Sequence, residues 1–129
     1  EKNNLSMIRL VTPTTDVKRL KKILFNTTGF VYYVSITGVT GTKAPDIKNV
    51  QVNIEKIKQV TDLPIVIGFG IRSPNQATLM SEVSDGIVIG SAVVDLIKKT
   101  LDNDGNSSSE GLIKCLNFTK EISKALKHN

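Results

Sequence analysis

Two spacings of apolar residues alternate along the chain, and each switch between them marks an element. Met7–Thr12 (MIRLVT), Phe30–Ile36 (FVYYVSI), Ile65–Gly68 (IVIG) and Ile87–Gly90 (IVIG) are short runs rich in β-branched and aromatic residues. Such runs predict strands. Between them the apolar positions recur at three and four, the spacing of a helix resting on a sheet. Val17, Leu20 and Leu24 stand largely opposite Lys18, Arg19, Lys21 and Lys22 in a helix that runs to about Phe25. Val50, Ile54, Ile57 and Thr61 share one face of a second helix, and a third spans 74–84. Val93, Val94, Ile97 and Leu101 are expected to point inward from a helix over 92–101, and Leu112, Cys115, Leu116, Ile122 and Leu126 to pack from a last helix over about 110–127.

The punctuation between these runs agrees with them. Thr14, Thr15 and Asp16 offer N-caps after Pro13, and Asn26–Gly29 closes the first helix. Ser73-Pro74-Asn75-Gln76 combines a capping serine, proline at the first helical position and glutamine three residues after the cap. Asp85-Gly86 turns the chain into the last strand. Thr37–Asn49, which holds Asp46, is long for a loop in a compact domain and is expected to be functional and mobile. Residues 102–110, DNDGNSSSE, read as a flexible connector without chemistry. The order is therefore β-α-β-α-β-α-β-α-α, an α/β chain with parallel strands. Four βα units do not close a barrel, so 1–129 is a single unit that is either an open four-stranded layer or half of a barrel.

Composition narrows this picture. At 129 residues with 40% apolar content, one folded domain is expected. No apolar run approaches the ~20 residues of a membrane span, and residues 1–15 lack the order of a signal peptide, so a soluble, cytoplasmic chain is expected. The single cysteine, Cys115, forbids an intramolecular disulfide and reads as a buried structural thiol. The net charge of +5 comes mostly from lysines scattered on helices, which argues for solvated faces rather than a nucleic-acid surface. His128 reads as a solvated tail.

Chemistry enters at the repeated IVIG. Each copy ends in glycine and small residues before a helix: Gly68-Phe69-Gly70 before Ser73-Pro74, and Gly90-Ser91-Ala92 before VVDLIKK. Helix N-termini aim backbone N–H groups outward, so two such neighbouring turns are the ingredients of a phosphate site. In parallel barrels such sites recur after the seventh and eighth strands. The glycines are alternatively turn residues that need positive φ. Phe69, between two glycines at a strand end, is badly placed for a core, and Ser91 suits both an N-cap and a phosphate ligand. Tyr32 and Tyr33 alternate on their strand, so only one faces the interior and the other packs under helices.

With Ser35–Gly41 (SITGVTG), Gly68-Phe69-Gly70 and Gly90-Ser91 in this order and at these separations, the sequence resembles the C-terminal half of the tryptophan synthase α subunit, from Leu10-Val11-Thr12-Pro13 to the final helix. The resemblance implies the second half of a (β/α)8 TIM barrel, βα units 5 to 8 plus a terminal helix. It also implies a lyase of tryptophan biosynthesis that cleaves indole-3-glycerol phosphate to indole and glyceraldehyde 3-phosphate. By the same resemblance Gly41, Phe69, Gly70, Gly90 and Ser91 hold phosphate, while Leu10, Tyr32, Thr40 and Val88 line the substrate. Gly38, Val39, Thr40 and Gly41 form a mobile lid. The partner is a β subunit that carries pyridoxal phosphate; this subunit holds no cofactor and no metal. The family's glutamate and aspartate acid–base pair belongs to the first half of the barrel, so this chain contains no catalytic residue and alone is expected to be inactive.

Two other readings stand beside this one. Another phosphate-binding barrel, such as a ribulose-phosphate epimerase or a histidine-biosynthesis isomerase, shares such turns. The epimerase is disfavoured, because its N-P-G-F-G-G is replaced here by I-T-G-V-T-G after the second strand. A non-catalytic half-barrel that binds phosphate or a partner is the other. Either half-barrel leaves unpaired strands near Met7–Thr12 and Ile87–Ile89. Self-association, or pairing with the missing N-terminal half, is therefore expected.

Overall fold

The computed structural model describes residues 3, 5–35, 46–68 and 70–126. Its elements run β1 (Arg9–Val11), α1 (Val17–Leu24), β2 (Val31–Val34), α2 (Ile47–Lys58), β3 (Ile65–Gly68), α3 (Pro74–Ser81), β4 (Gly86–Val88), α4 (Ser91–Thr100) and α5 (Ser109–Leu126). The strands form one sheet in the order β1-β2-β3-β4, and every pair is parallel. Parallel strands joined through helices keep all their C-terminal ends on one rim.

Local chemistry sets the helix starts. The Asp16 carboxylate accepts from the Arg19 N–H at 2.9 Å, and Lys21 and Lys22 sit in the last turn of α1, where the helix dipole favours cations. At α3, Ser73 Oγ accepts from the Gln76 N–H at 3.4 Å, while Gln76 Oε1 accepts from the Arg72 N–H at 2.8 Å. The reciprocal box forms, with the glutamine reaching one residue beyond the cap.

Burial alternates along the strands. Val31, Tyr33 and Ser35 are buried, whereas Tyr32 and Val34 between them are half-buried. Ile65 and Ile67 of β3 join Tyr33, Ile54 and Ile57 of α2, and Leu20 of α1 in one core. Burial pushes the Tyr33 hydroxyl up to about 12, and a hydrogen bond with Asn53 of α2 opposes that rise. At the other end of β3, Asp85 takes both sides of one residue. Its Oδ2 accepts from the Ile65 N–H at 2.8 Å, and its own N–H donates to the Ile65 carbonyl at 2.9 Å. Lys58 Nζ lies 3.4 Å from the same carboxylate.

Several expectations need correction. No residue of α4 is buried, and Val94, Ile97 and Leu101 are 62%, 42% and 38% exposed. The periodicity marks an apolar face, but α4 follows the edge strand and, among the described elements, packs mainly against α5. Leu112 and Leu116 of α5 and Val17 of α1 are likewise exposed. Helix α2 starts at Ile47 with Asp46 as its cap, accepting from the Lys48 N–H at 3.1 Å. Asp46–Asn49 thus belongs to that helix start rather than to a loop. The thiol of Cys115 is free and its residue only half-buried. Residues 102–107 close on themselves: Asp102 Oδ1 accepts from the N–H groups of Asp104 and Asn106 at 3.0 and 2.8 Å.

Candidate functional site

The C-terminal rim of the sheet gathers the small residues of the two IVIG runs. The carbonyl of Gly90 accepts from the N–H groups of Val93 and Val94 at 3.0 and 3.1 Å, which starts α4 at Ser91. Gly90 itself caps the helix with no side-chain hydrogen bond. The first N–H groups of any helix lack an intrahelical carbonyl, so those of Ser91 and Ala92 belong to the end that attracts anions.

Three glycines of this rim stand in three different surroundings. Gly70 has φ +77°, a left-handed conformation that side chains rarely adopt. Gly68 has no such backbone; a Cβ there would overlap the phenol oxygen and ring of Tyr32. Gly90 has neither constraint among the described residues. Its φ is −111°, and a Cβ placed on it would meet no described atom within 4 Å. Among the described residues the space in front of Gly90 is open.

Tyr32 pairs with Val66 across the β2–β3 ladder, yet its hydroxyl reaches Gly68, two residues nearer the rim. Leu10 pairs beside Tyr32 on β1, and Val88 pairs with Gly68 on β4. Leu10, Tyr32, Gly68 and Val88 therefore form one slanting row across all four strands, with Leu10 61% exposed at its outer end. Gly70, Gly90 and Ser91 stand beyond the ends of β3 and β4 on the same rim. Gly38, Val39, Thr40, Gly41 and Phe69, together with most of the expected lid loop, lie outside the described residues.

One tie between the two turns was not anticipated. Arg72 Nη1 donates to Asp95 Oδ2 at 3.1 Å, joining the start of α3 to α4. A cleft of about 200 Å³ lies beside it, lined by Arg72, Ala92, Asp95, Leu96, Lys99 and Phe118. The partners are far apart in sequence, and only the parallel register of the two IVIG runs hints at their meeting. The Ser35 hydroxyl, buried just past β2, has no hydrogen-bond partner among the described residues. Elsewhere the carboxylates of Asp16 and Asp46 cap helices, Asp85 pins a strand start and Asp102 closes a turn. Among the described residues no group of three or more His, Cys, Asp or Glu is placed to hold a metal. No described helix is long and apolar enough to cross a membrane.

The family described as tryptophan synthase alpha chain matches residues 1–126. Tryptophan synthase subunit alpha from Legionella pneumophila is 25% identical with a TM-score of 0.80, over 99% of this chain and 45% of that one. A tryptophan synthase structure from Mycobacterium tuberculosis is 29% identical with a TM-score of 0.79, over 99% of this chain and 44% of that one. The tryptophan synthase A-subunit of Pyrococcus furiosus is 27% identical with a TM-score of 0.71, over 95% of this chain and 46% of that one. The chain thus spans less than half the length of these solved structures.

Proposed function

Because the chain belongs to the tryptophan synthase alpha chain family, we propose that it forms βα units 5 to 8 of a lyase that cleaves indole-3-glycerol phosphate to indole and glyceraldehyde 3-phosphate. Its part is to hold the phosphate and to carry the lid. Gly90 and Ser91 offer the N-terminus of α4 to the phosphate, with Gly70, Phe69 and Gly41 completing the cradle. Leu10 and Val88 flank the indole. Tyr32, held over Gly68, and Thr40 border the substrate. The lid, Gly38 to Gly41, closes over it to exclude water.

The reaction breaks the bond between the indole ring and the glycerol chain. The ring carbon gains a proton, and the neighbouring glycerol hydroxyl loses one as it becomes the aldehyde. Two carboxyl groups on opposite sides of the substrate are required. By the family resemblance the acid–base pair belongs to the rest of the barrel, so the chain alone binds without turnover; Asp16, Asp46, Asp85, Asp95 and Asp102 serve as caps and ties. A complementary half, or association of copies, covers the open sheet edges. A β subunit carrying pyridoxal phosphate consumes the indole, and the setting is the cytoplasm.

The observation that supports this reading most is the space in front of Gly90 at the start of α4, which no described residue fills. Calorimetry with glycerol 3-phosphate tests it. Charge-assisted hydrogen bonds contribute about 1.5–3 kcal/mol each, so Gly90→Leu is expected to weaken binding at least tenfold while the far-UV spectrum stays unchanged. Equal affinity in the folded variant overturns the assignment.

A further inference from the structure

The hydrogen bond from Arg72 to Asp95 joins the turn between β3 and α3 to helix α4, the two pieces that the proposed phosphate cradle needs side by side. The Arg72 end is a fixed post. Ile71 before it is 3% exposed within the core, and the Arg72 N–H is accepted by Gln76 Oε1 at 2.8 Å inside the start of α3. Gly70, with φ +77°, stands two residues ahead of that post. The Asp95 end belongs to a helix start of another kind. Asp16, Asp46 and Ser73 cap α1, α2 and α3 with side chains that accept from the first turn, whereas Gly90 caps α4 with none. Asp95 comes four residues after Ser91, one turn further along the same side of α4. A bond that holds Asp95 to the β3–α3 turn therefore fixes the direction in which the Ser91 and Ala92 N–H groups point.

We propose that Arg72 is a positioning residue for the phosphate: through Asp95 it sets the N-terminus of α4 against the Gly70 turn, so that one anion meets the N–H groups of both. The role of the anion rests on the function proposed above, whereas the hold on α4 rests on the bond itself. Neutralising Asp95 does not require a partner from another unit. Lys99 flanks the same cleft four residues after Asp95, the spacing at which a cation offsets a carboxylate on one helix, yet a partner on α4 ties that helix to nothing. Arg72 does both. The two side chains are 61% and 49% exposed, and an exposed pair changes an equilibrium by no more than about fivefold. The tie therefore tunes the affinity of the cradle rather than creating it.

Calorimetry with glycerol 3-phosphate is expected to show Arg72→Met and Asp95→Ala each weakening binding about three- to fivefold, with unchanged far-UV spectra; Arg72→Gln replaces Arg72→Met if that variant unfolds. The shared sign is the test. Charge alone predicts opposite signs, because Arg72→Met leaves a carboxylate near the dianion and Asp95→Ala frees a cation there. The exchanged pair, Arg72→Asp with Asp95→Arg, recovers most of the loss, which a general weakening of α3 or α4 does not. Amide exchange reads the tie without ligand: the Val93 and Val94 N–H groups, which donate to the Gly90 carbonyl, exchange about threefold faster in both single variants, while the Ile67 amide is unaltered. Exchange at the original rate in both variants, or an Asp95→Ala chain that binds as tightly as the unaltered one, overturns the proposal. Gly90→Leu separates the two readings. If it binds as the unaltered chain does, the phosphate site fails; if it loses binding while Asp95→Ala keeps it in full, the site stands and the positioning role falls.

Discussion

The middle of the sheet and its two ends are built from the same sequence pattern and behave differently. In β2 and β3, Val31, Tyr33, Ile65 and Ile67 are no more than 1% exposed. In β1 and around β4 equally apolar side chains stand in solvent: Leu10 is 61% exposed and no residue of α4 is buried. A parallel strand is covered only when it has a neighbour on each side and helices above both. Hydrophobicity supplies the demand for cover, and position in the sheet decides whether it is met.

The sharpest test of that comparison is a pair of truncations. Ile67→Ala in the middle should cost about 2–5 kcal/mol, the range for emptying a packed site. Ile97→Ala at the edge should stay within about 0.5 kcal/mol, as exposed positions do. Urea midpoints check both, and equal losses would erase the distinction.

The two IVIG glycines make a smaller version of the same contrast. Gly68→Ala forces the Tyr32 ring aside and should cost about 1–3 kcal/mol, whereas Gly90→Ala meets no described atom and should cost no more than about 1 kcal/mol, the loss of a glycine cap. Combining Gly68→Ala with Tyr32→Ala should cost less than the sum of the single changes, because the clash partner is gone.

The mildest test is titration. The folded pKa of Tyr33, about 12, lies above the ordinary tyrosine value of 10.0, so the protonated phenol is favoured by folding. Its contribution is complete below about pH 10 and is lost as pH rises towards 12. The urea midpoint should fall across that window, and Tyr33→Phe should flatten the fall.

The order and parallel packing of the elements were legible because β-branched runs and helical spacing are local signals. The capping box at Ser73–Gln76 was legible for the same reason. What the spacing of Val94, Ile97 and Leu101 left out was the covering partner, since periodicity names a face and not what packs on it. The helix start at Ile47 was hidden by the polar Asp46-Ile47-Lys48-Asn49, which reads as a loop until the Asp46 carboxylate is seen on the Lys48 N–H. At the rim, the glycine pattern located the turns. It did not distinguish a left-handed turn at Gly70 from a neighbour's ring at Gly68 or from open space at Gly90. Those causes depend on atoms brought from other strands. The Arg72–Asp95 tie depends on the register of two turns, at which the two IVIG runs only hint.

The clasp of Asp85 on Ile65 lies at the start of β3, whereas Gly68, Gly70 and Gly90 lie at the strand ends across the sheet. The clasp and the proposed phosphate cradle thus stand on opposite rims. Loop changes around the proposed cradle would therefore leave the clasp intact, so ligand preference on that rim is expected to be alterable without loss of the β3 anchor.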